Sequence, residues 1–290
     1  LGGLEYSLDE NLAGVDGSTT GEIVHGHFIP ASERNRVDAV NGATVRLTID
    51  QDVQALAERT LARQIKKSGA ESGEVIVMDP KTGDIIAMAT YPTFDPNKPL
   101  SVSEYRRRNL AVGDVFEPGS TSKVMTIAAV LEEGKAAPDT PFTVPATLKR
   151  GGTVFHDHDK HGELHLTLNG VLAKSSNIGT ILASETIGQK KFLSYLIKFG
   201  MGQRTGSGLA GEEKGIMHQP GDAAWSDTSF PTMAFGQGLS VTALQAATVF
   251  ATIANDGVRM TPRILADGPD SQGTRVVSAT TADTVREMLE

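Results

Sequence analysis

"FEPGSTSKVMTIAAVLEEG", Phe116 to Gly134, decides how the chain is read. A Pro-Gly pair stops the preceding segment, and an amphipathic helix begins at once. Ser120 and Lys123 stand three residues apart, so on a helix they share one face. Behind them Val124, Ile127, Ala128 and Leu131 recur at helical spacing and predict an apolar stripe that sinks the helix into a core. A serine hydroxyl is a weak nucleophile until a base takes its proton. A lysine serves as that base only when neutral, and desolvation is what lowers its pKa. The free N–H groups of a helix start add donors for a developing oxyanion. The alternative reading is an N-cap serine followed by a solvated lysine. The Pro-Gly stop and the apolar stripe favour the chemical one.

About fifty residues on, "LAKSSNIGT" places Ser175 and Asn177 two apart, beside Ser176, between two apolar helical stretches. A hydroxyl relays protons, and an amide both donates and accepts. The same residue types also open helices, so one of the three is expected to cap "NIGTILASETIG".

Working outward, "GEVIVMDPKTGDIIAMAT" reads as a hairpin with a polar turn at Pro80 to Gly83 and strands buried on both faces. Before it, "ATVRLTI" alternates like a strand. Asp50 then caps a helix with apolar positions Val53, Leu56, Ala57, Leu61 and Ile65, followed by Gly69 and Gly73. The first forty-odd residues are Gly-rich and weakly periodic, with a short helix expected in "LGGLEYSLDENLAG" and a strand in "EIVHGHFI". After Ser120 helices and loops alternate, with no strong strand expected until about Thr261. The pattern predicts a mixed α/β (α+β) chain: residues 1–45 as an extended arm or small module, 46–290 as the main domain.

Composition bounds the function. The 290 residues suffice for a core without metal or disulfide, and the absence of cysteine excludes thiol catalysis and thiolate metal sites. A net charge of −8, from 27 basic and 35 acidic residues, argues against nucleic acid as a partner. No run approaches the ~18 apolar residues of a membrane span, and no signal peptide is visible. The chain starts at Leu1 rather than methionine, as a piece of a longer protein would.

S-x-x-K followed by S-x-N is the pairing found in penicillin-binding proteins and class A β-lactamases. "GGLEYSLDENLAG", "VRLTIDQDVQ", "VIVMDPKTGDIIAMATYPTFDPN", "DVFEPGSTSK", "LAKSSNIGT", "FGMGQRTGSGLAGE" and "MAFGQGLSVTALQ" extend the likeness over nearly the whole chain. The sequence resembles a class B penicillin-binding protein of the cell-division type. That resemblance implies the transpeptidase fold shared with serine β-lactamases, a sheet flanked by helices plus a helical subdomain. It implies a D,D-transpeptidase that cross-links peptidoglycan stem peptides ending in D-Ala-D-Ala and is acylated by β-lactams. Ser120 would be the nucleophile and Lys123 its base. Ser175 would pass a proton to the departing D-alanine, and Asn177 would hold the substrate amide and Lys123. No cofactor is implied. Partners would be cell-division and glycosyltransferase proteins. The domain would lie on the extracytoplasmic side of the bacterial membrane, through an anchor that this chain does not contain, with residues 1–45 ending an N-terminal pedestal.

The family's K-[TS]-G triplet belongs on a strand after the second motif. Here the triplet is Lys81-Thr82-Gly83, in the early turn, where it reads as structural. The functional triplet is therefore expected beyond Glu290, together with the second oxyanion N–H. "HDHDKHGELH" holds His156, His158, His161 and His165 with Asp157 and Asp159, the right types for a metal. It lacks H-E-x-x-H and reads as a solvated loop near the cleft. The rivals to a transpeptidase are a serine β-lactamase, for which no deacylating glutamate stands out, and a non-catalytic β-lactam sensor or scaffold of the same fold.

Overall fold

The structure is a computed structural model describing residues 3–29 and 32–290, so Leu1 and Gly2 of the first expected helix lie outside the described residues. The arm holds two short helices, Gly3–Ser7 and Asp9–Leu12, and exposed two-stranded ribbons. "EIVHGHFI" is a small hairpin rather than one strand. Ile23–Val24 pairs antiparallel with His27–Phe28, turning at His25 and Gly26, both at positive φ.

Asp50 caps helix α1 (Gln51–Ser68) as expected, its carboxylate accepting from the N–H groups of Asp52 and Val53, and Gly69 closes the helix at φ 69°. Ala57, Leu61 and Ile65 are buried, whereas Leu56 lies outside the apolar stripe and is exposed. The hairpin also forms: β1 (Gly73–Met78) pairs antiparallel with β2 (Ile85–Tyr91). Helix α1 packs Leu61 and Ile65 on Ala87 and Ala89 of β2. The other face meets Val112 of the short helix α2 (Leu110–Gly113) together with Leu209, Leu244 and Ile264. Both faces are thus covered, but most of β1 is only half-buried. "ATVRLTI" forms no regular strand. It runs extended, with a bridge from Leu47 to Leu265 and a bond from the Thr48 N–H to the Ile264 carbonyl.

The segment that carries Ser120 enters through a 3₁₀ turn, Gly119–Ser122, and continues as α3 (Lys123–Glu132). Every residue of α3 from Lys123 to Val130 is buried, and Leu131 is half-buried. The helix is therefore enclosed all round, as the central rod of the helical core, rather than buried along one stripe. Its neighbours are α4 (Leu168–Ala173), α5 (Asn177–Glu185), α6 (Gly188–Lys198) and the last helix, Ala279–Leu289. Between α3 and α4 the chain forms strands that the sequence pattern did not announce. Pro141–Val144 pairs with Leu164–Thr167, and Leu148–Arg150 with Thr153–Phe155. These strands are three or four residues long and largely exposed, too short for an alternating pattern to register.

Val241 pairs with Phe116, so the segment behind the nucleophile turn depends on the helix that starts at Thr242, α7 (Ala243–Ala254). Gln245, 1 % exposed, anchors that helix. Its Oε1 accepts from the Thr242 N–H at 2.8 Å, and its Nε2 donates to the carbonyls of Gln203 and Lys214 at 2.7 and 2.9 Å. Alanine here strands buried backbone groups, each costing ~1–3 kcal/mol. Gln245→Ala is expected to lower stability by about 2–4 kcal/mol, read as a reduced denaturant midpoint with unchanged slope.

Candidate active site

The turn that carries Ser120 is clamped from behind. The Gly119 N–H donates to the Gly236 carbonyl at 2.9 Å, and Phe116 and Val241 exchange backbone bonds at 2.9 and 3.0 Å. The Glu117 carboxylate accepts from the Gly238 N–H at 2.8 Å. Gly236 sits at φ 92°, and a Cβ there would lie 1.9 Å from the Gly119 carbonyl oxygen and 2.3 Å from Ser122 Oγ. Only glycine fits this approach. Ser120 itself faces outward and is exposed.

Three residues on, Lys123 is 1 % exposed. Its Nζ lies 3.1 Å from Ser120 Oγ, 2.9 Å from Ser175 Oγ, 2.8 Å from Asn177 Oδ1 and 2.5 Å from the Ser175 carbonyl oxygen. Burial pushes the Lys123 amine from an ordinary 10.5 down to about 8, with the Asp157 carboxylate acting in the opposite direction. A drop of that size is worth on the order of 3 kcal/mol against the ammonium form. The four oxygens bring no negative charge to cancel it, because two are hydroxyls and two are amide carbonyls, all neutral.

The second motif reaches Lys123 by a strained route. Ser175 has φ 53°, the left-handed region that a non-glycine residue enters at a cost of roughly 1–2 kcal/mol. This places its carbonyl and its hydroxyl on the same amine. Ser176 is the helix cap anticipated among the three: its Oγ accepts from the Gly179 N–H at 2.8 Å at the start of α5. Asn177 opens α5 and bridges two partners. Its Oδ1 faces Lys123, and its Nδ2 donates to the His156 carbonyl at 3.2 Å. The structure thus brings together Ser120, Lys123, Ser175 and Asn177, and gives Ser176 a different task.

The histidine-rich loop is not merely solvated. Among the described residues no three His, Asp or Glu side chains gather as metal ligands. His156 and His158 are exposed, and His165 pairs with exposed Glu163. Asp157 instead turns inward, with its side chain 9 % exposed, and accepts from Ser176 Oγ at 2.6 Å and the Ile178 N–H at 2.8 Å. Sequence reasoning grouped Asp157 with metal-ligand types and missed this contact, which spans 19 to 21 positions. Lys81-Thr82-Gly83 lies in the β1–β2 turn, as its reading as a structural turn requires. The Asp79 carboxylate accepts from the Lys81 N–H at 2.7 Å, and Gly83, at φ 77°, packs against Thr261 and Ser271.

An exposed serine, a buried lysine three residues on, and a serine and asparagine converging on that lysine have the residue types and spacing that serine acyl transfer needs. A family model described as the penicillin binding protein transpeptidase domain matches residues 73–290, and the chain belongs to that family. It is 44 % identical over 299 residues to the penicillin-binding protein PbpB of Mycobacterium tuberculosis, covering 99 % of this chain and 44 % of that protein. It is 34 % identical over 293 residues to the peptidoglycan D,D-transpeptidase FtsI of Escherichia coli, covering 99 % of this chain and 48 % of that protein. The chain therefore spans about half the length of the curated relatives it matches. The fold is that of penicillin-binding protein 3 from M. tuberculosis. The apo crystal structure superposes with a TM-score of 0.86 at 40 % identity, over 100 % of this chain and 63 % of that one. The aztreonam complex gives 0.85 at 41 %, over the same shares.

An amine at about 8 stands apart from solvated lysines near 10.4. In a pH titration of side-chain-labelled lysines followed by NMR, one resonance is expected to titrate near 8 and to vanish in Lys123→Arg. Titration of every lysine above 10 would contradict the buried-amine geometry.

Proposed function

We propose that this chain carries the D,D-transpeptidase activity of a peptidoglycan synthase and forms a serine acyl-enzyme. The observation that carries the reading is the buried Lys123 amine, 3.1 Å from the Ser120 hydroxyl and 2.9 Å from that of Ser175. Ser120 Oγ attacks the carbonyl carbon between the two terminal D-alanines of a stem peptide, and its proton passes to neutral Lys123. With the Gly119 N–H already given to the Gly236 carbonyl, the Ser120 N–H is the donor that this reading assigns to the developing oxyanion. The peptide C–N bond then breaks. The proton moves from Lys123 through Ser175 to the departing D-alanine nitrogen. Asn177 holds the substrate amide and keeps Lys123 in place. An amine from a neighbouring stem attacks the ester, the bond from Ser120 Oγ to the acyl carbon breaks as the cross-link forms, and the proton lost by that amine restores the Ser120 hydroxyl.

A β-lactam enters by the same first step and stays on Ser120 as an ester, because its leaving nitrogen remains tethered. Crystal structures of the mycobacterial relative complexed with aztreonam and with ampicillin support this substrate class. Residues 1–45 are assigned to the end of an N-terminal pedestal and 46–290 to the transpeptidase domain. None of the described helices is long and apolar enough to cross a membrane. We place its action on the extracytoplasmic side of the bacterial membrane, beside cell-division and glycosyltransferase partners; a relative named as a peptidoglycan D,D-transpeptidase supports the cell-wall substrate.

With benzylpenicillin and peptide mapping by mass spectrometry, the adduct is expected on Ser120 and is lost in Ser120→Ala. An adduct on Ser175 or Ser176 would overturn the assignment.

The base must be neutral to act, so its active fraction rises with pH. At pH 7 roughly one Lys123 in ten is neutral, given an amine at about 8, and the fraction approaches one above pH 9. The second-order acylation rate is expected to climb about tenfold from pH 7 to pH 9. Lys123→Arg, which stays protonated, is expected to abolish acylation at every pH. A flat profile, or acylation by that variant, would reduce Lys123 to a fixed charge.

A further inference from the structure

The loop Phe155–His161 holds the C-terminal side of the Ser175–Asn177 turn, through Ser176, Asn177 and Ile178. The His156 carbonyl takes the Asn177 amide at 3.2 Å, leaving Oδ1 for Lys123. One residue on, the Asp157 carboxylate takes the Ser176 hydroxyl at 2.6 Å and the Ile178 N–H at 2.8 Å. His161 closes the arrangement, with Nε2 3.1 Å from Asp157 Oδ2 and Nδ1 2.5 Å from the Gly162 carbonyl. Both ring nitrogens face acceptors, an arrangement that favours the protonated ring, and the Gly162 carbonyl, ahead of Asp157, raises the histidine pKa.

We infer that Asp157 is a positioning residue for acyl transfer: its ionised carboxylate locks the Ser175–Asn177 turn so that Ser175 and Asn177 meet the lysine amine. An ionised carboxylate is acceptor-only, and all three groups aimed at it are donors. Its charge also favours the first turn of α5, whose Ile178 N–H it accepts. The Ser175 backbone is in the left-handed region and needs such over-determination to stay there. The inference rests on the acyl-enzyme reading above and adds a residue that never touches substrate.

Two effects follow, and they are separable. Loosening the turn slows acylation at its plateau. Removing the Asp157 charge also withdraws the one charged group that favours the Lys123 ammonium, so the acid limb of the rate profile moves to lower pH. The other charged groups nearby are His161 itself and Lys174 at the end of α4, which acts on His161 rather than on Lys123. A residue serving only stability would lower the fraction of protein that binds and leave the limb in place.

The test measures benzylpenicillin acylation from pH 6 to 10 in the full-length protein and in Asp157→Asn and Ser176→Ala. Stoichiometric titration counts the active fraction. Asp157→Asn is expected to acylate on the order of tenfold or more slowly at the plateau, with its acid limb shifted to lower pH. Ser176→Ala, which keeps the charge, is expected to be slowed with its limb unmoved. A folded Asp157→Asn with the parental rate and profile overturns the inference. Should that variant fail to fold, a parental rate in Ser176→Ala overturns it instead. A parental protein that penicillin does not acylate strikes the acyl-enzyme reading rather than this one.

Discussion

The buried amine of Lys123 is the constraint on which the rest of the site depends. An ammonium group withdrawn from water is costly, and two features here limit that cost: oxygens crowd the nitrogen, and the proton is held loosely. Both require α3 to be enclosed on every side. An α3 buried along one stripe only would leave its polar face wet, and a wet lysine keeps its proton at neutral pH. The helical core is thus what takes the Lys123 amine out of water and loosens its hold on the proton.

Enclosure alone would bury the serine as well. Ser120 stays exposed because the chain enters α3 through a 3₁₀ turn pinned by backbone bonds to Gly236 and Val241. Those bonds are insensitive to side-chain identity except where a Cβ would collide, as at Gly236. Ser120 therefore rides on a backbone lattice, while the second motif is held by side chains and one strained residue. The two halves meet at the Lys123 nitrogen, 3.1 Å from Ser120 Oγ and 2.9 Å from Ser175 Oγ.

Local features were legible in the sequence because they are local in physics. Asp50 as a cap, the β1–β2 hairpin and the shared face of Ser120 and Lys123 each depend on residues a few positions apart. The complete burial of α3 was not legible, since it needs four other helices to surround a segment that by itself shows only one apolar stripe. Nor were the short strands from Pro141 to Thr167, which are too brief to alternate. Ser176 and Asp157 show the limit within the site. The sequence put Ser176 beside the motif and Asp157 among potential metal ligands. Only the fold joins them, because a contact across 19 residues leaves no periodic trace.

The valence of one nitrogen has a further consequence. Beyond its carbon, Lys123 Nζ has three tetrahedral positions, and four oxygens compete for them. Two of these, the Ser175 carbonyl and Asn177 Oδ1, can only accept, so they hold an N–H each whatever the charge state. A single position remains, shared by two hydroxyls. In the free amine it is a lone pair and suits the Ser120 hydroxyl as donor. In the ammonium it is an N–H and suits the Ser175 hydroxyl as acceptor. The nitrogen thus engages one hydroxyl at a time, and its charge state selects whether that position accepts or donates. For the partner to change, no group has to move farther than a hydroxyl rotates.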